Sequence, residues 1–186
     1  MPVTDLKVIP FYRLRLLLRV ACKFCTCKEN PQCSNDMVKE KPDSVRTYDE
    51  DGFKRRAACL CFKDEREEEI LLVTSHRNPD RWVVPGGGIE PEEEPRIAAM
   101  REAMEEAGVR GQISRHHGVF ENKDRKNRTW VYIFHVEELL DHWDDLQRIN
   151  RKRQWFSLAD ARAVLLLHKP ALAAYIEPLL DQRAMS

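Results

Sequence analysis

The chain has 186 residues, 42% of them hydrophobic and 33% charged, which fits one globular domain of ordinary size with some additional chain. The formal net charge at pH 7 is zero, with 31 basic and 31 acidic residues, and this balance argues against a general nucleic-acid coat or an acidic tail. Any electrostatic partner must therefore be bound by local clusters of charge.

The N-terminal segment differs from the rest of the chain. The stretch Leu6–Lys28 carries six basic residues and no acid, and its arginines interrupt the apolar residues too often for a membrane span of about 20 residues. No small-residue cleavage site follows an apolar core, so we expect no secretory signal. We predict a disordered extension over residues 1–45; a mitochondrial presequence or a surface-lying amphipathic helix is the alternative.

The six cysteines fall into two groups. Four lie in the extension, at Cys22, Cys25, Cys27 and Cys33. Structural zinc sites usually combine two well-separated ligand pairs, so this spacing does not favour a zinc site. Cys59 and Cys61 alternate inside the apolar run "AACLCF", which is typical of a buried strand and fits a reduced setting. We therefore expect a cytoplasmic protein, with the nucleus, or a mitochondrial location directed by the extension, as alternatives.

A mixed α/β domain is predicted over residues 46–182, where short apolar runs alternate with turn signals and helical periodicities. The predicted strands are Ala57–Phe62, Ile70–Ser75, Trp82–Val84, Gly118–Asn122, Trp130–Val136 and Gln154–Ser157. The predicted helices are Glu92–Ala107, Leu158–Leu167 and Ala171–Leu180. Ser157 is the expected N-terminal cap of the second helix.

The first predicted helix crowds carboxylates on one face. Between Glu90 and Glu106 the chain has seven acidic and two basic residues, a local balance of −5. Residues three and four apart share a helix face, so Glu102, Glu105 and Glu106 project together and repel one another. An all-oxygen cluster of this kind favours a hard cation such as Mg²⁺, which also takes phosphate oxygens from a substrate.

Glycines flank this helix at both ends. Gly86, Gly87 and Gly88 predict a turn after the strand "RWVVP" and allow the backbone to approach a ligand closely, and Gly108 predicts the end of the helix. Taken separately, a triple glycine is more often a flexible turn and a run of charges is more often a solvated helix face. Their joint spacing reverses that interpretation.

The spacing from Gly87 through Glu93 to Val109 resembles the Nudix box, G-x5-E-x7-R-E-U-x-E-E-x-G-U, where U is a bulky aliphatic residue. Every fixed polar or glycine position matches, although Ala103 is smaller than the usual residue at the first U. The resemblance implies an α/β/α sandwich with a mixed sheet, whose glycine loop and helix bind a divalent metal at a nucleoside-diphosphate-like group.

Roles for individual residues follow from the carboxylate face and this resemblance. Glu102, Glu106 and the carbonyl of Gly86 are the expected ligands of Mg²⁺, with Mn²⁺ as the alternative ion. Glu105 is the expected catalytic residue, which deprotonates or orients the attacking water, or else ligates a second metal. The resemblance also implies that Glu93 braces Arg101 and the helix.

A narrower resemblance extends from about Arg46 to Leu180. The stretches "RTYDEDGFKRRAACLCF", "VPGGGIEPEEEP", "GVFENKDRKNRTWVY" and "NRKRQWF" resemble the diphosphoinositol polyphosphate phosphohydrolase subfamily. This implies hydrolysis of a phosphoanhydride, either removing the β-phosphate of a diphosphoinositol polyphosphate or splitting a diadenosine polyphosphate. The extension has no counterpart there, and Met37 opens a segment like the subfamily's usual start, so we interpret the upstream stretch as an alternative first exon or start site.

Short basic clusters lie at the edges of predicted elements. If they converge, they would hold a compact polyanion, with arginines supplying paired donors and lysines point charges; any one cluster alone is more often a solvated surface. The resemblance implies substrate-binding roles for Arg46, Lys54, Arg55, Arg56, Ser75, His76, Arg77, Arg125, Lys126, Asn127, Arg151 and Lys169. Asn127 departs from the histidine that the resemblance implies at its position.

Two other classes of function stay open. One is a Nudix hydrolase acting on mRNA caps or other nucleoside diphosphate derivatives, which would need a basic RNA-binding surface beyond the pocket. The other is a non-catalytic inositol-phosphate binder, against which the intact Glu102, Glu105 and Glu106 count. We expect a monomer that binds a small-molecule polyphosphate and meets nucleic acid only if capped RNA is the substrate.

Overall fold

A computed structural model describes residues 45–185. The expectations for the extension, its four cysteines and Met37 lie outside these residues. The strands are β1 (Lys54–Phe62), β2 (Glu69–Ser75), β3 (Asn78–Val83), β4 (Gly86–Gly88), β5 (Val109–Asn122), β6 (Asn127–Leu139) and β7 (Arg153–Ser157). The helices are α1 (Pro95–Ala107), α2 (Asp144–Ile149), α3 (Leu158–His168), α4 (Pro170–Ala173) and α5 (Glu177–Ala184).

The strands form one mixed sheet. Its main order is β3-β2-β1-β6-β5, with β4 added beside β1 and β7 beside β2. β1 and β6 run parallel, while the other pairs are antiparallel. The parallel register sets Lys54 opposite Asn127 and Arg56 opposite Thr129. Basic residues at the start of β1 are thereby placed beside the β5–β6 turn.

Successive side chains of β1 point to opposite faces of the sheet, and each set belongs to the hydrophobic core on its own face. Ala58, Leu60 and Phe62 join the core beneath α3, α4 and α5. Ala57, Cys59 and Cys61 face the other way and join the core beneath α1. The two layers of helices with the sheet between them confirm the predicted α/β/α sandwich, and the two thiols are buried and free, as the alternation predicted.

Small side chains bring α1 close to the sheet. Ala98, Ala99, Ala103 and Ala107 are fully buried against β1 and its neighbours. The alanine at position 103 therefore belongs to a buried face of small side chains, through which α1 packs on the sheet.

The predicted helix ends are largely confirmed. Gly108 ends α1 in the left-handed conformation at φ 61°, and its N–H donates to the carbonyl of Met104 at 2.9 Å. Ser157 caps α3 by accepting from the N–H of Asp160 at 3.1 Å. α1 begins at Pro95 rather than Glu92, since Glu92 has a positive φ of 62° and does not continue a helix.

Other predicted boundaries were wrong. The triple glycine forms the strand β4 instead of a turn, because its backbone pairs with β1. β5 begins at Val109 rather than Gly118, and three register shifts within it disrupt the alternation that marks a strand. The helix expected over 171–180 is two helices, α4 and α5, with Pro178 in the first turn of the second. Helix α2 was not predicted.

No helix within residues 45–185 is both long enough and apolar enough to span a membrane.

Candidate active site

The glycine strand β4 forms one side of the candidate site and pairs with β1. Gly87 lies opposite Ala57 and Gly86 lies opposite Ala58. A Cβ atom added to Gly87 would overlap the carboxylate of Glu102, which reaches from α1 to the backbone at this point. Only glycine therefore lets the strand and the carboxylate approach this closely.

Replacing Gly87 should disturb this contact directly. We expect Gly87→Ala to lower the free energy of unfolding by about 1–3 kcal/mol, the usual cost of overpacking, and to reduce kcat because Glu102 must move. A Cβ at Gly88 meets nothing within 4 Å, and neither glycine has a positive φ, so Gly88→Ala is the matched control. Urea unfolding and steady-state kinetics of both variants check this; equal effects would mean that contact with Glu102 is not the reason for glycine.

Arg101 organises the acidic face of α1. It binds Glu93 through Nε at 2.8 Å and Nη2 at 2.9 Å, donates to Glu102 at 2.8 Å and lies 3.6 Å from Glu105. Its Nη2 also donates to the carbonyl of Gly88 at 3.0 Å. The hydrogen bond that Arg101 donates to Glu93 is the largest cause of the raised pKa of Arg101. The expected brace between Glu93 and Arg101 is present, and it ties the glycine strand to the helix.

Glu106 is enclosed between the glycine strand and a second arginine. Its Oε2 accepts from the N–H of Gly86 at 2.8 Å, and its Oε1 lies 2.9 Å from Nη1 of Arg151. Burial, followed by the charges of Glu102 and Asp145, raises the pKa of Glu106 to about 7, although Arg151 and the Gly86 N–H act in the opposite direction. Glu106 is therefore held in an environment where its charge depends on a cationic partner.

A buried ion-pair network continues from Glu106 into α2. The side chain of Arg151 is 6% exposed and that of Asp145 is 2% exposed, and Nε of Arg151 lies 3.0 Å from Asp145 Oδ2. Arg148 donates to the other carboxylate oxygen of Asp145 at 2.6 Å. Arg151 thus differs from the other predicted substrate-binding residues, because its guanidinium is already bound by two carboxylates.

The donor set suits a hard divalent cation, although the carboxylates are engaged by arginines here. Among residues 45–185, no three acidic, histidine or cysteine side chains stand ready as a metal site. Arg101 binds Glu102, Arg151 binds Glu106, and Arg56 donates to the carbonyl of Gly86 at 2.9 Å. All of the predicted ligands present oxygen, the donor that Mg²⁺ prefers, and the missing side chain at Gly87 lets the Glu102 carboxylate lie against the backbone of the glycine strand. The residues fit the ion, and their role as ligands stays a prediction.

Several predicted substrate-binding cations act on one another. The pKa of Lys169 is lowered first by burial and then by four arginines, in the order Arg125, Arg81, Arg77 and Arg56. These residues come from β1, the β2–β3 hairpin, the β5–β6 turn and the junction of α3 with α4. The fold therefore gathers positive charge from separate parts of the chain at one place.

The start of β1 adds further positive charge. The pKa of Lys54 is lowered by burial and by the charges of Arg46 and Arg56. The guanidinium of Arg55 lies 5.7 Å from the ring centre of Trp130. Since Arg56 acts on both Lys54 and Lys169, it links the two groups, and its hydrogen bond to Gly86 connects them to the glycine strand.

The remaining predicted contacts lie in turns or at the ends of strands. Ser75 is partly buried at the end of β2, and His76 and Arg77 are exposed in the turn that follows. Lys126 is exposed and has a positive φ of 46°. The side-chain oxygen of Asn127 is buried without a hydrogen-bond partner, so this position retains an unsatisfied polar atom beside Lys54.

Sequence reasoning missed three residues at or near this site. Arg81 belongs to the group around Lys169, but a single arginine within a strand gives no signal in the sequence. Asp145 lies in α2, which was not predicted. Arg153 caps the end of α1 by donating to the carbonyls of Ala107 and Gly108 at 2.8 and 2.9 Å. A basic residue placed this way is recognisable only once the fold brings β7 beside α1.

Comparisons with known proteins give the family and the relatives of this chain. The NUDIX domain family model matches residues 53–179. The chain is 59% identical over 143 residues to human "Diphosphoinositol polyphosphate phosphohydrolase 2", which covers 77% of this chain and 79% of that protein. It is 61% identical to human "Diphosphoinositol polyphosphate phosphohydrolase 3-beta" over 76% of this chain and 87% of that protein.

Solved structures support the fold. A NUDIX hydrolase from Nitrosomonas europaea superposes with a TM-score of 0.55 at 23% identity, over 69% of this chain and 88% of that chain. The E. coli ORF135 protein superposes with a TM-score of 0.53 at 22% identity, over 70% of this chain and 91% of that chain. With the match over residues 53–179 and the identity of about 59% to its relatives, this chain belongs to the Nudix hydrolase family, in the diphosphoinositol polyphosphate phosphohydrolase subfamily.

Proposed function

We propose that this chain is a metal-dependent phosphoanhydride hydrolase that removes the β-phosphate from diphosphoinositol polyphosphates and also hydrolyses diadenosine polyphosphates. The names of its relatives, which are diphosphoinositol polyphosphate phosphohydrolases, support the first activity. The observation that carries the proposal is the group of cations around Lys169. The four charges that lower the pKa of Lys169 all belong to arginines. Like charges repel, so their convergence is favourable when a compact polyanion lies among them.

The basic residues bind and orient this substrate. Arg56 spans both parts of the proposed site, since it donates to Gly86 and its charge acts on Lys169. A substrate that bridges the cations and the glycine strand would place one phosphoanhydride beside α1 while its other phosphates are held by arginines. The phosphates bound by the arginines would thereby orient the reacting phosphoanhydride, which lowers the entropic part of the activation barrier.

The carboxylates of α1 would hold the cofactor. Glu102, Glu106 and the carbonyl of Gly86 are the proposed ligands of Mg²⁺ or Mn²⁺. When bound, such an ion neutralises the phosphoanhydride oxygens and the charge that develops on them. Arg101 and Glu93 keep α1 and the glycine strand in a fixed relation, because their hydrogen bonds join the two elements.

Glu105 is the proposed general base. It accepts a proton from water as the water oxygen attacks phosphorus; the bond between phosphorus and the bridging oxygen breaks, and the released phosphate oxygen later takes up a proton. The Glu105 side chain is 17% exposed and shares the helix face of Glu102 and Glu106. This position leaves it accessible to a water molecule at the carboxylate face.

The proposal predicts that substitutions of the basic residues and substitutions of the carboxylates reduce kcat/KM in different patterns across the two substrates. Arg77→Gln should lower kcat/KM toward diphosphoinositol pentakisphosphate by about tenfold or more, the scale of a lost charge-assisted bond, and should have a smaller effect on diadenosine hexaphosphate. Glu106→Gln should reduce kcat/KM for both substrates to a similar extent, because both place a phosphoanhydride on the same carboxylates. Steady-state kinetics with each substrate, at low and high salt, measure the difference.

A matched control separates local contacts from net charge. Arg110→Gln removes the same charge from an exposed ion pair with Glu138 and should leave both values of kcat/KM nearly unchanged. Equal losses of Arg77→Gln on the two substrates would contradict the group of cations as the basis of selectivity and would favour a Nudix hydrolase of broader specificity.

We also propose that residues 46–182 form the Nudix hydrolase domain, that residues 1–36 take no part in the active site, and that the protein acts as a cytoplasmic monomer. Deleting residues 1–36 should leave kcat/KM and Tm nearly unchanged, because the recognised domain starts at residue 53 and the resemblance at about residue 46. Kinetics, thermal unfolding and sedimentation of the truncated and full chains test this. A large decrease in kcat/KM or in Tm of the truncated chain would show that the domain needs its extension.

A further inference from the structure

The helix that carries the carboxylates of the proposed site ends without a cation of its own. Its last turn, residues 104–107, includes Glu105 and Glu106 and no basic residue. Backbone carbonyls at a helix C-terminus have no partner within the helix and form its negative end, which disfavours carboxylates nearby. The end of α1 therefore needs hydrogen-bond donors and positive charge from another part of the chain.

Arg153 of β7 supplies both. Its Nη1 donates to the carbonyls of Ala107 and Gly108 at 2.8 and 2.9 Å, and its Nη2 donates to the carbonyl of Leu140 at 2.8 Å. The N–H of Leu140 in turn donates to the carbonyl of Gly108 at 2.8 Å. Arg153 thus binds the helix end and the chain that follows β6 at the same time, through the planar fork of one guanidinium.

Trp143 holds Arg153 and binds the adjacent carbonyl of the same helix. Its ring centre lies 4.2 Å from the guanidinium carbon of Arg153, within the range of a cation–π contact. Its Nε1 donates to the carbonyl of Glu106 at 3.2 Å. A Cβ atom added at Gly108 would overlap the Trp143 ring, so the ring lies directly against the helix end. Two side chains from outside α1 therefore bind the carbonyls of three successive residues, 106–108.

The same part of the fold also holds the side chain of Glu106. Trp143 directly precedes α2, whose Asp145 lies 3.0 Å from Arg151. Arg151 lies 2.9 Å from the carboxylate of Glu106. Glu106 is thus bound through its carbonyl by Trp143 and through its carboxylate by Arg151. Because the backbone sets the direction of each side chain, a shift of the last turn of α1 would move the carboxylates that it carries.

We propose that Arg153, stacked on Trp143, is a positioning residue that fixes the last turn of α1 and with it the direction of Glu105 and Glu106. The inference rests on the proposed function of these two carboxylates. It predicts a defect in kcat rather than in KM, because the basic residues proposed to bind substrate around Lys169 belong to other elements. Small displacements of a catalytic group are costly, since the reacting atoms must be aligned.

The test compares Arg153→Met with Arg183→Met, at a temperature at which thermal unfolding shows both variants to be folded. Arg153→Met should lower kcat by about 10- to 100-fold with both diphosphoinositol pentakisphosphate and diadenosine hexaphosphate, and should change KM by less than about twofold. Arg183 is the matched control because its Nη2 also donates to two backbone carbonyls, those of Arg66 and Glu67, in the turn between β1 and β2. Arg183→Met should keep kcat near the wild-type value.

Two milder substitutions test the same role if Arg153→Met does not fold. Arg153→Lys keeps the charge but lacks the fork that binds the helix end and Leu140 together, so it should recover part of the Tm and leave kcat lowered by about fivefold or more. Trp143→Phe keeps an aromatic ring beside Arg153 but loses the donor to Glu106. It should also lower kcat more than it raises KM.

Hydrogen exchange of the metal-free protein gives a measurement that does not depend on activity. The N–H of Gly108 donates to the carbonyl of Met104 at 2.9 Å. It should exchange about tenfold faster or more in Arg153→Met or Arg153→Lys, while the N–H groups that pair β1 with β6 should exchange as in wild type.

An unchanged kcat in the folded Arg153 variants, or equal losses of kcat in Arg153→Met and Arg183→Met, would overturn the positioning role and leave the proposed function standing. A wild-type protein that hydrolyses neither compound would overturn the proposed function itself. In that case the exchange rate of the Gly108 N–H would still show whether Arg153 holds the end of α1.

Discussion

Glu105→Gln should lower kcat by about 10² or more, the scale of lost general-base catalysis, while the fold is retained. The substitution keeps the shape of the side chain but removes the oxygen basicity needed to take a proton from water. The loss should appear with both diphosphoinositol pentakisphosphate and diadenosine hexaphosphate, since the same water attack serves each. Steady-state kinetics and thermal unfolding of the variant measure the two parts of this expectation.

Glu94→Gln provides the control for the same helix. Glu94 is exposed at the start of α1 and its side chain makes no cap hydrogen bond, so its neutral variant should keep near wild-type activity. Near-full activity in Glu105→Gln would show that Glu105 is neither the base nor an essential ligand, and the mechanism proposed above would then need another residue to activate water.

Arg151→Met should lower the free energy of unfolding by about 3 kcal/mol, because removing one partner of a buried ion pair leaves the other charges uncompensated. Asp145 is 2% exposed and Glu106 is 16% exposed, and both lie within 3.0 Å of Arg151. Arg148 still binds Asp145 in the variant, which keeps the expected loss at the lower end of the range for such pairs. Urea unfolding of the metal-free protein measures it.

An exposed ion pair gives the comparison. Arg162 lies 2.7 Å from Glu177 on the surface, with side chains 41% and 39% exposed, so Arg162→Met should cost no more than about 1 kcal/mol. If Arg151→Met costs equally little, the network from Glu106 to Asp145 does not stabilise the fold, and the predicted role of Arg151 in binding substrate would become the better explanation for its presence.

Local sequence signals were sufficient for the acidic helix and its end. The spacing of Glu102, Glu105 and Glu106 follows from helix geometry alone, and the left-handed cap at Gly108 requires only the preference of glycine for that conformation. The pairing of Glu93 with Arg101 was implied by family resemblance and is present at 2.8 Å. These features depend on residues close together in the chain.

Long-range contacts account for most of what was missed. Gly86–Gly88 has low strand propensity, and it becomes a strand only because β1 offers it a partner. Arg81 belongs with Lys169 only after β3 and α3 meet, and Asp145 is buried by contacts that its own short helix does not reveal. Pro178, in contrast, was a visible sign that a helix over residues 171–180 would be interrupted.

Phosphate release from diphosphoinositol pentakisphosphate is the most direct test of the central claim. The full chain, incubated with this compound and Mg²⁺, should release orthophosphate and inositol hexakisphosphate in equal amounts. The reaction should stop when the metal is chelated, and Glu105→Gln protein should serve as a nearly inactive blank. Release no faster than in that blank, in a preparation that hydrolyses capped RNA or another nucleoside diphosphate derivative, would contradict the assigned substrate.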